Sequence, residues 1–292
     1  MPGKGVSAYE LFDKVMDGDI KGMIVLGSNP LVSSPNARRV EEALKKLELL
    51  VVVDLFETET ARYAHWLLPG SSFLEAEGTI TNVEGRVFHR PKALDTPGTV
   101  KLDMHIIREL ADRLGAGKHF AFRDAEAVFD ELRRATAGGK ADYSGMTYKR
   151  LQSEGGLFWP CPDEAHPGTP CLFEPRFAHP DGKARLHAIE PGIPAETPCR
   201  EYPYILSTGR VGSQYLSGAQ TRRTEPLHAK APVPAVEIHP SLAERIGLRP
   251  NDYVRLATRR AARRFRFASP RTSIRRPYSC RFTGEERCPS TG

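Results

Sequence analysis

Gly22-Met23-Ile24-Val25-Leu26-Gly27-Ser28-Asn29-Pro30 and, after it, Leu49-Leu50-Val51-Val52-Val53-Asp54 decide the fold. The apolar run Met23 to Leu26 stops at a cluster of turn formers that neither a strand nor a helix tolerates inside it. A loop therefore opens at the carboxyl end of a strand. Ser34 reads as an N-cap with Pro35 at the first helical position, and Ala37, Val40, Leu44 and Leu47 recur at helical spacing. Leu49 to Val53 is apolar at every position, the pattern of a parallel strand covered on both faces. In such a strand, loop, helix, strand unit, ligands sit outside the carboxyl ends of the strands. Ser28, Asn29 and Asp54 are the polar groups there. They suit the base or ribose of a nucleotide; equally, Asn29 can close a turn and Asp54 can cap the next segment. Spacing alone leaves both readings open.

Upstream, Ser7-Ala8-Tyr9-Glu10 fits a capping box, and Leu11, Phe12, Val15 and Met16 give a helix that ends at Gly18. Downstream, Thr58 reads as an N-cap of a short helix, and Trp66-Leu67-Leu68-Pro69 as a third strand. Glu75 and Glu77 are close enough for acid–base work, but carboxylates on a loop are usually solvated. Leu102, Ile106, Leu110 and Leu114 form one helical stripe before Gly115, and Val128, Phe129 and Leu132 form another within Asp124 to Ala135. Gly138-Gly139 is expected to end regular structure. Ten prolines between Pro160 and Pro203 then leave little room for helix or central strand. A second body starts at Tyr204-Ile205-Leu206-Ser207-Thr208 and runs into Gly209-Arg210. Ala235 to Ile238, a helix capped at Ser241 and ended by Gly247, a Pro250-Asn251-Asp252 turn and Tyr253 to Thr258 follow. Three strands and one short helix cannot close a barrel.

The chain has 292 residues, 40% of them hydrophobic, and its mean hydropathy is −0.42, enough for two domains with ordinary cores. No apolar run approaches the ~20 residues that span a bilayer, and residues 1–10 lack the apolar stretch of a secretory signal, so a cytoplasmic setting is expected. Five cysteines with no Cys-x-x-Cys pair indicate neither a disulfide framework nor a zinc or iron–sulfur site. The formal charge of +6 is unevenly placed: Arg259 to Gly292 holds ten arginines against two acidic residues, leaving −2 on the rest. Without the defined fold of a recognition module, this basicity does not argue for nucleic-acid binding.

Gly27-Ser28-Asn29-Pro30, Val53-Asp54, Leu68-Pro69, Glu75-Ala76-Glu77-Gly78, Thr81-Asn82, Thr208-Gly209-Arg210 and Ser217-Gly218-Ala219-Gln220-Thr221-Arg222-Arg223 occur in this order in molybdopterin oxidoreductases, which the chain resembles from about residue 5 to 258. Within that family it is most similar to the catalytic subunits of bacterial assimilatory nitrate reductases, through Glu84-Gly85-Arg86, Asp142-Tyr143-Ser144-Gly145 and Arg176 to Lys183. Formate dehydrogenases come next.

The resemblance implies an α/β fold with a Rossmann-like parallel-sheet domain over residues 1–156. A proline-rich linker follows over 157–203, and a partial double-psi β-barrel-like domain, truncated at its C-terminus, over 204–258. Residues 259–292 would be an aberrant basic tail, the product of a reading-frame shift. It further implies that Ser28, Asn29, Val53, Asp54, Asp103, Thr208, Gly209, Arg210, Val211, Ser213, Gln214 and Ser217 hold bis(molybdopterin guanine dinucleotide). For Asp103 a favourable place in the first turn of a helix is an alternative role. Family members convert nitrate to nitrite by oxygen-atom transfer at molybdenum, fed by an electron-donor protein or domain. The 4Fe–4S cluster and the metal-ligating cysteine are expected only in a missing N-terminal part, so this chain alone would be an inactive fragment. A formate dehydrogenase fragment and a non-catalytic cofactor-binding or assembly module are the alternatives.

Overall fold

Ser7 and Glu10 form the expected capping box: the Glu10 amide donates to Ser7 Oγ at 3.3 Å and the Ser7 amide to Glu10 Oε2 at 3.1 Å. Helix α1 (Leu11–Asp17) follows, and Gly18 ends it in the left-handed region. The computed structural model describes residues 4–8, 10–194, 196–249, 251–268 and, by backbone alone, 279–283. Strand β1 (Gly22–Leu26), the single turn α2 (Pro30–Ser33), helix α3 (Ala37–Lys46), strand β2 (Leu49–Asp54) and strand β3 (Trp66–Pro69) complete the first motif, with the sheet ordered β1-β2-β3. Phe12 and Val15 of α1, Val40, Ala43 and Leu44 of α3, and Val25, Leu50 and Val52 of the sheet share one buried cluster. Each fully buried aliphatic side chain there contributes about 1.5–3 kcal/mol.

Two local expectations need correction. The long helix starts at Ala37, capped by Asn36 in the left-handed region with its Oδ1 accepting from the Arg39 amide at 3.4 Å; Ser34 and Pro35 lie in the link after α2. Pro30 had already opened a turn of its own. Nor is the sheet covered on both faces, because Ile24, Leu26 and Leu49 are exposed. An unbroken apolar run says that a strand is apolar on both sides, not that both sides have found a partner.

Strands β4 (Gly78–Thr81), β5 (Arg86–Arg90) and β6 (Leu157–Phe158) form an antiparallel sheet, with helices α4 (Asp103–Arg113), α5 (Ala125–Thr136) and α6 (Tyr148–Ser153) between them in sequence. Val87, Phe129, Met146, Tyr148, Leu151, Leu157 and Cys161 make the core. Regular structure thus continues beyond Gly138-Gly139, where the sequence suggested an end. Helix α6 is only six residues long and is started by Thr147 Oγ1, which accepts from the Arg150 amide at 3.2 Å.

The link around α6 is held by polar groups. Buried Asp142 accepts from the Gly138 amide at 2.6 Å, the Ser144 amide at 2.8 Å and the Ser144 hydroxyl. Burial alone would raise its pKa, but these donors outweigh it and hold the carboxyl below its usual range. Arg150 donates to the carbonyls of Gly145 at 2.8 Å and His166 at 3.0 Å.

Beyond residue 190, strand β7 (Ile205–Gly209), the turn α7 (Glu225–His228), strand β8 (Ala235–Ile238), helix α8 (Pro240–Arg245) and strands β9 (Tyr253–Ala257), β10 (Ala262–Ala268) and β11 (Ser279–Thr283) appear in order. The sheet runs β7-β11-β8-β10-β9, and no closure into a barrel joins its ends among the described strands. Helix α8 is capped by His239, whose Nδ1 accepts from the Ser241 amide at 3.2 Å, rather than by Ser241 itself. Asn251 (φ 74°) and Asp252, whose Oδ2 accepts from the Arg249 amide at 2.7 Å, make the expected turn; Pro250 lies outside the described residues. Strand β10 carries regular structure past Thr258. Its register pairs Phe265 with Val254 and Phe267 with Val236, so three of the basic residues, Arg263, Arg264 and Arg266, are side chains of a sheet strand. The remainder of the basic tail, 269–278 and 284–292, lies outside the described residues.

The chain divides into two compact units. One gathers the described residues of Met1–Val52, Phe56–Trp66 and Glu190–Gly292, and the other Val53–Leu55 and Leu67–Ile189. Within the first, a single carboxylate ties three distant segments. Glu59 accepts from Asn29 Nδ2 at 2.7 Å and from an Arg222 terminal nitrogen at 2.9 Å. Desolvation would push the Glu59 carboxyl up, but the hydrogen bonds from Arg222 and Asn29 prevail and hold it below the ordinary 4.5. A depressed carboxylate contributes stability that is present at neutral pH and lost as the pH falls through its folded-state value. Glu59→Gln should therefore cost about 2 kcal/mol in urea unfolding at pH 7. The gap to the unsubstituted chain should close in acid below 4.5; a gap independent of pH would remove the charge from the explanation.

Gly145 sets a second constraint. A Cβ there would stand 2.0 Å from the Asp163 carbonyl oxygen and 2.9 Å from that of Cys161. Both are backbone atoms and cannot swing aside. Gly145→Ala should cost about 3 kcal/mol or more, whereas Gly192→Ala, with nothing within 4 Å of its Cβ, should change stability by less than about 0.5 kcal/mol.

Candidate functional site

Strand β2 ends at Asp54, and Gly70, one residue past the end of β3, comes close to it. The Gly70 amide donates to the Asp54 carbonyl at 3.2 Å. A Cβ on Gly70 would lie 2.9 Å from Asp103 Oδ1, 3.0 Å from Val53 Cγ1 and 3.8 Å from the Asp54 nitrogen. Val53 and Asp54 are thus brought beside Asp103, distant in sequence, by a glycine whose missing Cβ lets them approach. Asp103 stands in the first turn of α4, and Lys101, just before it, bridges to Gly70 in parallel register. The Asp103 pKa is raised, first by desolvation and then by the charge of Asp54. Two carboxylates that repel each other at a strand end favour a partner rich in N–H donors, such as the N1–H and N2–H₂ edge of guanine.

The other expected residues belong to the first unit. Ser28 is exposed at the mouth of the β1 loop. Asn29 is buried and its side chain is engaged: Oδ1 accepts from the Thr60 amide at 3.2 Å and its hydroxyl at 2.7 Å, while Nδ2 donates to Glu59. Thr60 Oγ1 in turn accepts from the Leu31 amide at 3.1 Å. The Asn29 side chain thus ties the loop after β1 to Glu59 and Thr60, and makes no capping bond in the turn it precedes.

Thr208 and Gly209 end strand β7, and Arg210, Val211 and Ser213 lead into a loop of successive turns. Gln214 Oε1 accepts from Thr221 Oγ1 at 2.7 Å, and Thr221 Oγ1 also accepts from the Tyr215 amide at 3.1 Å. Arg222 donates to the carbonyls of Gly218 at 3.2 Å and Ser217 at 3.3 Å. Leu216 and Gly218 take the left-handed conformation. Arg223 lies over the Phe56 ring with its guanidinium carbon 4.4 Å from the centroid.

Two residues that organise this region, Glu59 and Arg222, escaped the sequence-based set. Thr58-Glu59-Thr60 carries only the signal of a helix start, which Thr58 does provide by accepting from the Ala61 amide at 3.4 Å. Gly70 escaped too, since its role depends on a neighbour thirty-three positions away. Of the paired glutamates, Glu75 accepts from the Ser72 amide at 3.0 Å and shapes its own turn. Cys161, Cys171 and Cys199 are free thiols, and no group of three metal-ligating side chains occurs among the described residues. No helix among them is long and apolar enough to cross a membrane.

The family profile described as Molybdopterin oxidoreductase matches residues 3–113, and the one described as Molydopterin dinucleotide binding domain matches 204–273, beyond Thr258 and through β10. The assimilatory nitrate reductase catalytic subunit of Bacillus subtilis is 54% identical over 83% of this chain and 34% of its own length. The F420-dependent formate dehydrogenase subunit alpha of Methanocaldococcus jannaschii is 39% identical over 89% of this chain and 38% of its own. The chain therefore spans little more than a third of these relatives. Acetylene hydratase from Pelobacter acetylenicus shares the fold, with a TM-score of 0.73 and 22% identity over 97% of this chain and 40% of that one. With both profiles matched in order along it, this α/β chain belongs to the molybdopterin oxidoreductase family.

Proposed function

We propose that this chain is the dinucleotide-cradling part of a nitrate reductase that carries bis(molybdopterin guanine dinucleotide). The observation that supports it most is the pairing of Asp54 with Asp103 around Gly70, which suits the donor edge of guanine and would be filled by any Cβ. In this reading the two carboxylates of the second unit accept from guanine across Gly70. Within the first unit, considered by itself, the backbone amides and Arg210 of the Thr208–Ser217 loop suit a phosphate. The Arg222 and Glu59 pair positions that loop. When bound, the group supplies the two-electron chemistry at molybdenum that takes an oxygen atom from nitrate.

Nitrate is favoured as substrate by the 54% identity to the assimilatory enzyme, against 39% to the formate dehydrogenase subunit. Formate oxidation is the second reading. An electron-donor protein and a cytoplasmic setting belong to the first, by analogy with an assimilatory role. A chimera that supplies the other two thirds from the Bacillus subtilis relative should reduce nitrate with reduced viologen and leave formate untouched. Formate oxidation without nitrate reduction would select the second reading.

The cradle itself is tested on the chain alone. Guanosine monophosphate should bind more tightly than adenosine monophosphate, which lacks the paired donor edge, and Asp54→Asn with Asp103→Asn should abolish the preference. Equal binding of the two nucleotides would remove the guanine assignment. Because the Asp103 carboxyl is raised, its ionised form destabilises the folded chain above its ordinary pKa of 3.8 and not below it. Asp103→Asn should accordingly raise the melting temperature at pH 7 and leave it unchanged near the acid end of the folded range.

A further inference from the structure

A cavity of 860 Å³ lies within the second unit, between the β4–β5 hairpin and helices α4 and α5. That size suits a small organic ligand. Of the residues assigned above to the dinucleotide, its wall includes Asp103 alone. Phe122, Phe129 and Tyr148 give it aromatic surface, and Phe73 lies at its rim, 61% exposed.

Its polar groups are unfinished. Tyr148 is 6% exposed, and its hydroxyl has no hydrogen-bond partner. The Arg90 Nε is likewise buried without one. Such orphans are uncommon in folded proteins, because a sealed donor has lost its water and gained nothing in return. Glu77 also lines the cavity, one residue before Gly78, and Gly78 is the cross-strand partner of Arg90. The two opposite charges thus line one cavity, and none of the ion pairs among the described residues joins them. Glu77 is close enough to Tyr148 for its charge to add to the burial that raises the phenol to about 12, so the hydroxyl is a donor at neutral pH.

A ligand that completes this set needs an anionic group for Arg90 and Tyr148, a cationic group for Glu77, and an apolar body for the aromatic wall. We propose that the cavity binds a free α-amino acid with an aromatic side chain, its carboxylate on Arg90 and Tyr148 and its ammonium on Glu77. The Phe73 ring lies 5.8 Å from the Arg90 guanidinium carbon and covers it. On entry of the amino acid this exposed ring swings away and uncovers the buried donors. A purely anionic ligand would meet Glu77 and Asp103 unfavourably, and a purely cationic one would leave Arg90 and Tyr148 as they are.

The test titrates the full chain with L-phenylalanine, 3-phenylpropionate and phenethylamine, followed by ligand-observed NMR. L-Phenylalanine should bind at least about tenfold more tightly than either analogue. Arg90→Met should erase its advantage over phenethylamine, and Glu77→Gln, at an exposed position, its advantage over 3-phenylpropionate. Tyr148→Phe, which removes one oxygen, should weaken the carboxylate-bearing pair and spare phenethylamine, and serves if the arginine variant does not fold. No saturable binding up to about 10 mM, equal binding of the three compounds, or variants that bind as the unsubstituted chain does would each overturn the assignment.

Discussion

Glu59 is the carboxylate on which the first unit turns. With its side chain only 17% exposed, it would be costly if left alone. It is not left alone: Asn29 holds it from the loop after β1, and Arg222 from a loop some 160 residues later in the chain. The same Arg222 reaches the carbonyls of Ser217 and Gly218, so one guanidinium both neutralises Glu59 and sets the path of the loop. A lysine could not do this, because a point charge cannot serve a carboxylate and two carbonyls in one plane. The consequence is that strand-end loops from the N-terminal and C-terminal parts of the chain are parts of one polar network.

The second unit is held by close backbone approach. Gly145 admits the Asp163 carbonyl where no side chain would fit, and Gly156 does the same for the Val87 carbonyl, 2.8 Å from its ideal Cβ position. Arg150 and Asp142 then satisfy the polar groups that this proximity buries. Two short elements, α6 and β6, persist because of these fixed points and not through length. An isolated six-residue helix would not survive in water.

This explains what could be read from the residues. The central β1–β2 motif, the helices α4 and α5, and strands β7, β8 and β9 were legible because their apolar periodicity and turn formers are local signals. Asp54, Asp103 and the Thr208–Ser217 loop were named from an ordered set of motifs, and the structure brings Asp54 and Asp103 together. Helix α6 was not legible, being too short for a periodic pattern, and neither was the role of Arg222, since its partner is distant in sequence. Strand β10 was obscured by composition. Arginines at alternate and adjacent positions read as a tail, although Phe265 and Phe267 keep the period of two that a strand needs. The exposed Val128, Leu132 and Leu114 show the limit in the other direction, since an apolar stripe predicts a buried face that the described residues only partly supply.

Three carboxylates in this chain are perturbed in ways that can be compared. Asp142 and Glu59 are both desolvated, yet each is held below its usual pKa because hydrogen-bond donors surround it. Asp103 meets desolvation and the charge of Asp54 with no compensating donor among the causes of its shift, and it is raised. Folding tends to remove such costs, and the chain has removed them at two of the three positions. Asp103 is exposed, so water is within its reach, and the repulsion from Asp54 is the part of its shift that a donor-rich ligand would relieve. That repulsion is the physical argument which, beside the family likeness, supports the guanine cradle proposed above.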